Sequence, residues 1–412
     1  MALNDQLKKY LDRKTADQLD MLVRLVQAPS DNPPGDCAPH AEVAAKLLEQ
    51  LGFTVERHSV PEQVVAEHEM QSVTNLIVRE VFGPGPTVAL NAHGDVVPPG
   101  DGWKTDPYGG EVRDGWLYGR GSAVSKSDFA TYAYALAALK SCTPNLKGTV
   151  ELHLTYDEET GGLVGPKWLL DEQLTKPDYV ICPAFSYSVT MAHNGCLHLE
   201  VSVTGKSAHA AMPDSGSDAL RAANQLLTKL YQYSDSLGSK TSKIAGIKHP
   251  TLVVGLIEGG INTNVVPDRV TLRIDRRITP EEDAFAVENE LLELIQEARD
   301  IKGISVTTKR VLLALPLQPT EKSKAVADLV SKHATAVFKE PITTGGVPLY
   351  TDARLYAEQG IPTVMYGAGP KNILDANGHR ADERVPVDTL PKVSRVIALT
   401  IASLLRVKSV SE

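Results

Sequence analysis

The chain has 412 residues and a formal net charge of -9, which at roughly 150 residues per domain suggests two or three domains. Its 42% hydrophobic and 23% charged residues exclude wholesale disorder, a collagen repeat and a coiled-coil rod. An acidic balance without long basic runs argues against a nucleic-acid or anionic-membrane partner.

The first predicted element is a helix from Asp17 to Val26, with Leu19, Leu22, Val23 and Leu25 at helical spacing. It stops before Pro29. A second helix spans His40 to Leu51 and is closed by Gly52. Strands follow at Phe53 to Arg57, Thr74 to Arg79 and Thr87 to Ala92. An Ala-rich helix covers Ser127 to Leu139, then a strand Thr149 to Tyr156, a short helix Gly165 to Leu170, and a strand Tyr179 to Cys182. Strands alternating with helices imply an α/β layered domain with a mostly parallel sheet.

The pattern changes after Asn194-Gly195. Leu197 to Thr204 alternates with period two, as a strand with one wet face does. A helix (Asp218 to Tyr233), two strands (Thr251 to Ile257, Arg269 to Ile274), a helix (Pro280 to Ile301) and a strand (Ile304 to Arg310) complete a β-α-β-β-α-β order. The α/β pattern then resumes with helices Ser323 to Phe338 and Asp352 to Glu358, a strand Thr363 to Tyr366 and a final helix Leu390 to Leu405. The expected organisation is a larger α/β domain from 1–194 and 315–412, interrupted by an α+β domain at 195–314.

The four cysteines, Cys37, Cys142, Cys182 and Cys196, are scattered, which fits a reduced compartment better than a disulfide framework. The N-terminus lacks the apolar core of a secretory signal, and the longest apolar stretch, Val396 to Leu405, falls short of the roughly 20 residues a membrane helix needs. A cytoplasmic location is expected.

Chemistry-bearing residues gather at predicted strand ends, where open α/β sheets bind ligands. His93-Gly-Asp95 follows an apolar strand, and a carboxylate two residues from a histidine can orient a metal-ligating imidazole. Asp157-Glu-Glu159 ends another strand, and carboxylates crowded there call for a positive partner such as a metal. One glutamate could ligate while its neighbour acts as general base. His379 follows a Gly-rich loop, and His209 lies in Gly205 to Pro213 of the inserted domain. Taken singly, each has a blander alternative: a surface turn, a solvated acidic loop, a polar loop or a turn histidine. Cys182 reads as a small core hydrophobe. Gly119-Arg-Gly121 lacks the rest of a phosphate loop, and there is no Gly-x-Ser-x-Gly elbow.

Together these blocks resemble the metallopeptidase and deacylase family of aminoacylase, acetylornithine deacetylase, succinyl-diaminopimelate desuccinylase and carboxypeptidase G. The resemblance runs along nearly the whole chain: His93 to Pro98 with Trp103 and Asp106-Pro107, Asp114 to Gly121, Asp157 to Gly161, Gly205 to Pro213, Asn264 to Asp268, Asp275 to Arg277, Thr351 to Arg354, Gly360 to Pro362, and His379. It implies a zinc-peptidase three-layer domain carrying an inserted lid that also serves in homodimerisation. It implies hydrolysis of the amide bond of a small N-acyl amino acid, dipeptide or related compound. By the same resemblance His93 is a ligand of the first metal and Asp95 its orienting partner. Glu158 is the general base, and Glu159 and His379 hold the second metal. His209 stabilises the oxyanion, commonly from the partner subunit, and Asn264 and Arg277 contact substrate.

Two positions depart from the pattern. Val124 stands where the family's metal-bridging aspartate is expected, and Ala184 where the strand after Tyr179 should end in a carboxylate. Neither offers a lone pair. Three readings stay open. One metal, zinc or another divalent ion, is held by Glu159 and His379 with His93 or a water. Alternatively, replacement ligands are recruited from Asp128, Cys182 or Ser186-Tyr187. In the third reading no metal binds, and the chain is a non-hydrolytic binding protein or a metal-independent hydrolase or lyase using Glu158. The expected function is an amide-bond hydrolase with at most one metal per chain.

Overall fold

The computed structural model describes residues 2–143, 145–296 and 301–406. They fall into two units, one within 1–191, 319–345 and 351–412, the other within 192–318 and 346–350. The short segment 346–350 thus groups with the inserted unit, although the sequence pattern assigns it to the larger domain.

The larger unit is built on an eight-stranded sheet. Its spatial order is Val55–Ser59, Thr74–Gly83, Gly148–Thr155, Thr87–His93, Tyr179–Cys182, Thr363–Met365, Ser188–His193 and Thr343–Val347. The centre is parallel: Thr87–His93 runs alongside Gly148–Thr155 and Tyr179–Cys182, which in turn runs alongside Thr363–Met365. Thr74–Gly83 and Val55–Ser59 add antiparallel strands at one edge. Because side chains alternate along a strand, Val88, Leu90 and Ala92 enter the main hydrophobic cluster while Ala89, Asn91 and His93 face the other way. That cluster also takes in residues of the helices Leu3–Gln27, Ala38–Gln50, Lys126–Cys142, Glu321–Phe338 and Thr389–Leu404.

The first helix begins at Leu3, far earlier than its expected start at Asp17. Leu7 and Leu11 are buried and extend the apolar stripe through the charged stretch that hides it in the sequence. A three-stranded sheet of Arg384–Pro386, Trp116–Tyr118 and Glu111–Arg113 was not expected. Its strands are too short to carry a periodic signal, and one comes from far along the chain.

The second unit is a four-stranded antiparallel sheet, ordered Thr251–Gly259, Arg269–Ile278, Gly195–Thr204 and Ser305–Ala314. Leu197, Leu199, Val201 and Val203 pack with Leu272 and Ile274 against the helices Ala219–Leu237 and Ala284–Gln296. The expected helix from Pro280 to Ile301 begins at Ala284, and 297–300 lie outside the described residues.

The helix Lys126–Cys142 is buried from Lys126 through Leu139, so it has no wet face. Asp128 in its first turn accepts hydrogen bonds at Oδ1 from the Ala368 amide (2.9 Å) and the Thr131 hydroxyl (3.0 Å). Burial pushes its carboxyl up to about 8. The native state therefore holds a proton that the unfolded chain releases above pH about 4. Native stability should fall as pH rises from about 4 towards about 8. Asp128→Asn keeps the Oδ1 acceptor and removes this slope. Denaturant melts at pH about 5 and about 8 should show the wild type losing roughly 1–3 kcal/mol more than the variant. Parallel losses would refute the assignment.

Candidate active site

Register brings the key loops together. His93 is the last residue of its strand and pairs in parallel with Thr155. The loops after them start at the same edge of the sheet, and the strand Tyr179–Cys182 is the next neighbour of Thr87–His93. Asp95 ties two of these loops. Its Oδ1 accepts from the Glu158 amide and its Oδ2 from the Glu159 amide, each at 3.2 Å. Asn32 donates a further bond to Oδ2 at 3.1 Å. The Nδ1 of His93 lies 3.0 Å from the Asp95 carbonyl oxygen and 3.4 Å from Oδ1. This leaves Nε2 facing Glu158, whose Oε2 is 3.8 Å away.

The turn carrying the two glutamates is forced. Asp157 has φ 106°, outside the range L residues prefer. Its buried carboxylate secures that conformation by accepting from the amides of Val164 (2.7 Å) and Gly165 (3.0 Å). A one-turn 3₁₀ segment, Glu158–Thr160, follows.

His93, Glu158 and Glu159 each place a ligand atom within 4.8 Å of the others. His379 meets the same cluster, with Nε2 3.1 Å from Oε1 of Glu159. It too sits in the left-handed region, at φ 62°. Burial raises the Glu158 carboxyl well above its ordinary range; the His93 charge opposes this, and the charges of Asp352 and Glu159 add to it. Burial by itself would lower the His93 imidazole, but Glu158 and Asp95 outweigh it and raise the group. The hydrogen bond to Glu159 raises His379.

Two acidic residues escaped sequence reasoning. Asp352 looks like an N-cap for the helix Ala353–Glu358, yet its side chain makes no capping bond. It is buried, and its Oδ2 has no hydrogen-bond partner among the described residues. Burial pushes its carboxyl up to about 7, with nearby Asp95 and Glu159 adding to the rise and His93 and Arg354 opposing it. Glu383 is buried with Arg120, Oε2 to Nη1 2.6 Å. Its Oε1 accepts from the amides of Ala123 and Val124 at 3.1 and 3.0 Å, fixing the backbone there. The adjacency of Glu383 to the His379 block was its only signal in the sequence.

Of the candidate replacement ligands, Asp128 has Oδ1 committed to Ala368 and Thr131. The Ser186 hydroxyl donates to the Gly367 carbonyl and accepts from the Gly369 amide. Burial raises the Cys182 thiol well above its ordinary value, so it stays protonated.

The inserted unit holds the other three expected residues. His209 and Asn264 are exposed neighbours: His209 bridges to Val265, and the Ala210 amide donates to the Asn264 carbonyl at 2.9 Å. Arg277 lies apart from them on a strand. It is held by Asp275, Nε to Oδ1 at 2.9 Å and Nη2 to Oδ2 at 3.1 Å, and it stacks over Tyr350.

Residues 89–403 match the model of peptidase family M20/M25/M40. The succinyl-diaminopimelate desuccinylase of Wolinella succinogenes is 29% identical over 349 residues, spanning 82% of this chain and 89% of its own. That of Rhizorhabdus wittichii is 28% identical over 384 residues, spanning 91% and 94%. Among solved structures, the dipeptidase Dug1p of Saccharomyces cerevisiae superposes with a TM-score of 0.79 at 14% identity, over 98% of this chain and 99% of its own. The M20 metallo-carboxypeptidase Sso-CP2 of Sulfolobus solfataricus gives 0.77 at 18%, over 94% and 99%. These two show the shared fold. The chain belongs to peptidase family M20/M25/M40 and is an amide-bond hydrolase of the metallopeptidase type.

Proposed function

We propose that the chain hydrolyses the amide bond of a small N-acyl amino acid or dipeptide, with Glu158 as general base at an altered metal site. The convergence of Glu158 with His93 and Glu159 carries this reading. A carboxyl raised by burial is a stronger base than one in water. Glu158 takes a proton from the water that attacks the amide carbonyl, and returns it to the amine nitrogen as the carbon–nitrogen bond breaks. Asp95 holds the His93 ring, and His209 steadies the oxyanion. Asn264 and Arg277 contact the substrate, Arg277 through a carboxylate.

The donor set suits one divalent metal, zinc first among candidates, held by Glu159 and His379 with His93. When bound, the cation would supply the Lewis acidity that amide hydrolysis uses and the positive charge these buried carboxylates lack. A second metal finds too few donors, because Val124 and Ala184 cannot ligate. Glu158→Gln should lower kcat by about 10²–10⁴-fold on whichever N-acyl amino acid or dipeptide the wild type turns over. Full turnover by the variant would remove Glu158 from the mechanism.

The cytoplasm is the proposed location. It is supported by the absence of a disulfide among the four cysteines, and no described helix is long and apolar enough to cross a membrane. We also propose a homodimer joined through the inserted unit. Thr251–Gly259 is an edge strand that exposes Val253 (55%) and Leu256 (66%) on the face away from the helices and Ile257 (56%) on the other, apolar groups along one edge that a second copy would cover. Leu256→Lys should shift the protein from dimer to monomer in sedimentation velocity. A wild type that is monomeric, or a variant that stays dimeric, would contradict this.

A further inference from the structure

The inserted sheet packs its odd-numbered positions, Leu197 to Val203, on helices. Its other face carries a second group of ligating side chains. Cys196 and His198 share that face two residues apart, and register sets Arg277 opposite Cys196 and Asp275 opposite His198. The Cys196 sulfur is 3.1 Å from Nε2 of His198 and 3.7 Å from Oδ1 of Asp275, and that same Nε2 is 3.1 Å from Oδ2 of Asp275.

Thiol, imidazole and carboxylate in contact suggest a nucleophilic relay, and the geometry excludes one. A relay engages the two ring nitrogens separately, one towards the nucleophile and the other towards the acid. Here sulfur and carboxylate meet the same nitrogen. Three unlike donors converging on one point instead match a metal's needs. Ligands at zinc–nitrogen and zinc–sulfur distances of about 2.0–2.3 Å stand roughly 3.3–3.8 Å apart around a tetrahedral ion. The present separations need to open by only a few tenths of an ångström.

We infer that Cys196, His198 and Asp275 form a binding site for one borderline-soft divalent cation, of which zinc is the type. A thiolate and an imidazole select against magnesium and calcium. The side chains of His198 and Asp275 are 33% and 30% exposed, so solvent reaches the site and can fill the remaining coordination position. Asp275 is already ionised: burial would raise its carboxyl, but His198 and Arg277 hold it down at about 2. His198 binds through Nε2 with its proton on Nδ1. Cys196 binds as thiolate, so entry of the cation releases one proton to solvent. The Arg277 guanidinium opposes binding, because it occupies the same carboxylate and adds a positive charge. The site shares no residue with the Glu158 cluster, and its ligation is read without turnover; its ligand Asp275 also holds Arg277, the proposed substrate contact.

Cobalt(II) is the probe, because it replaces zinc and reports sulfur ligation by a thiolate-to-metal charge-transfer band. The full chain, stripped with chelator and then dialysed, is titrated with cobalt chloride. A thiolate charge-transfer band is expected that saturates within two equivalents, because the Glu159–His379 site, which has no thiol, takes at most one. Cys182→Ser, which alters the thiol beside Glu158, should keep the band, while Cys196→Ser and His198→Asn should each lose it. His198 is partly exposed, so that variant decides the matter if the buried Cys196 change prevents folding. No band in the wild type, or a band that survives both the Cys196 and His198 changes, would overturn the site.

Discussion

The candidate active site depends on one buried carboxylate, that of Asp95. It accepts the amides of Glu158 and Glu159 and the side-chain amide of Asn32, while its own residue fixes the His93 ring. Parallel pairing of His93 with Thr155 puts the two loops in reach. Asp95 then holds them in one register, so the two glutamate side chains project from a fixed backbone. Each bond to a charged acceptor is worth about 1.5–3 kcal/mol, and the group accepts three from outside its own histidine.

Such an arrangement collects negative charge in a place with little water. Asp95, Asp157 and Asp352 are all buried, and Glu158 and Glu159 adjoin them. Burial drives Asp157, Glu158 and Asp352 upward, which is the response expected when carboxylates outnumber their cations. His93 and His379 answer part of that charge by rising. A divalent cation would answer more of it. The loop bearing Val124 is held separately by the Arg120–Glu383 pair, so a position with no ligand atom is nevertheless kept in a defined place.

Much of this was legible in the sequence because the signals are local. Strand ends, Gly-Asp and Glu-Glu dipeptides and the alternation of Leu197 to Thr204 need no tertiary knowledge. What stayed hidden depends on distant partners. Asp352 reads as a helix cap, and only folding shows its carboxylate buried behind Gly162, where a Cβ would lie 2.0 Å from Oδ1. Glu383 reads as a surface acid until Arg120 is brought to it from 263 residues away. The cluster of Cys196, His198 and Asp275 is likewise split between two strands that only the register of the inserted sheet makes neighbours.

We propose a site that keeps a hydrolase's base, Glu158, while lacking donors for two metals. Metal content by mass spectrometry measures this, on Cys196→Ser protein purified without chelator so that the Cys196 cluster does not contribute. The count should be at most one per chain. It should rise by one when Val124→Asp and Ala184→Asp are added together. Two tightly bound equivalents without those two substitutions would contradict the account.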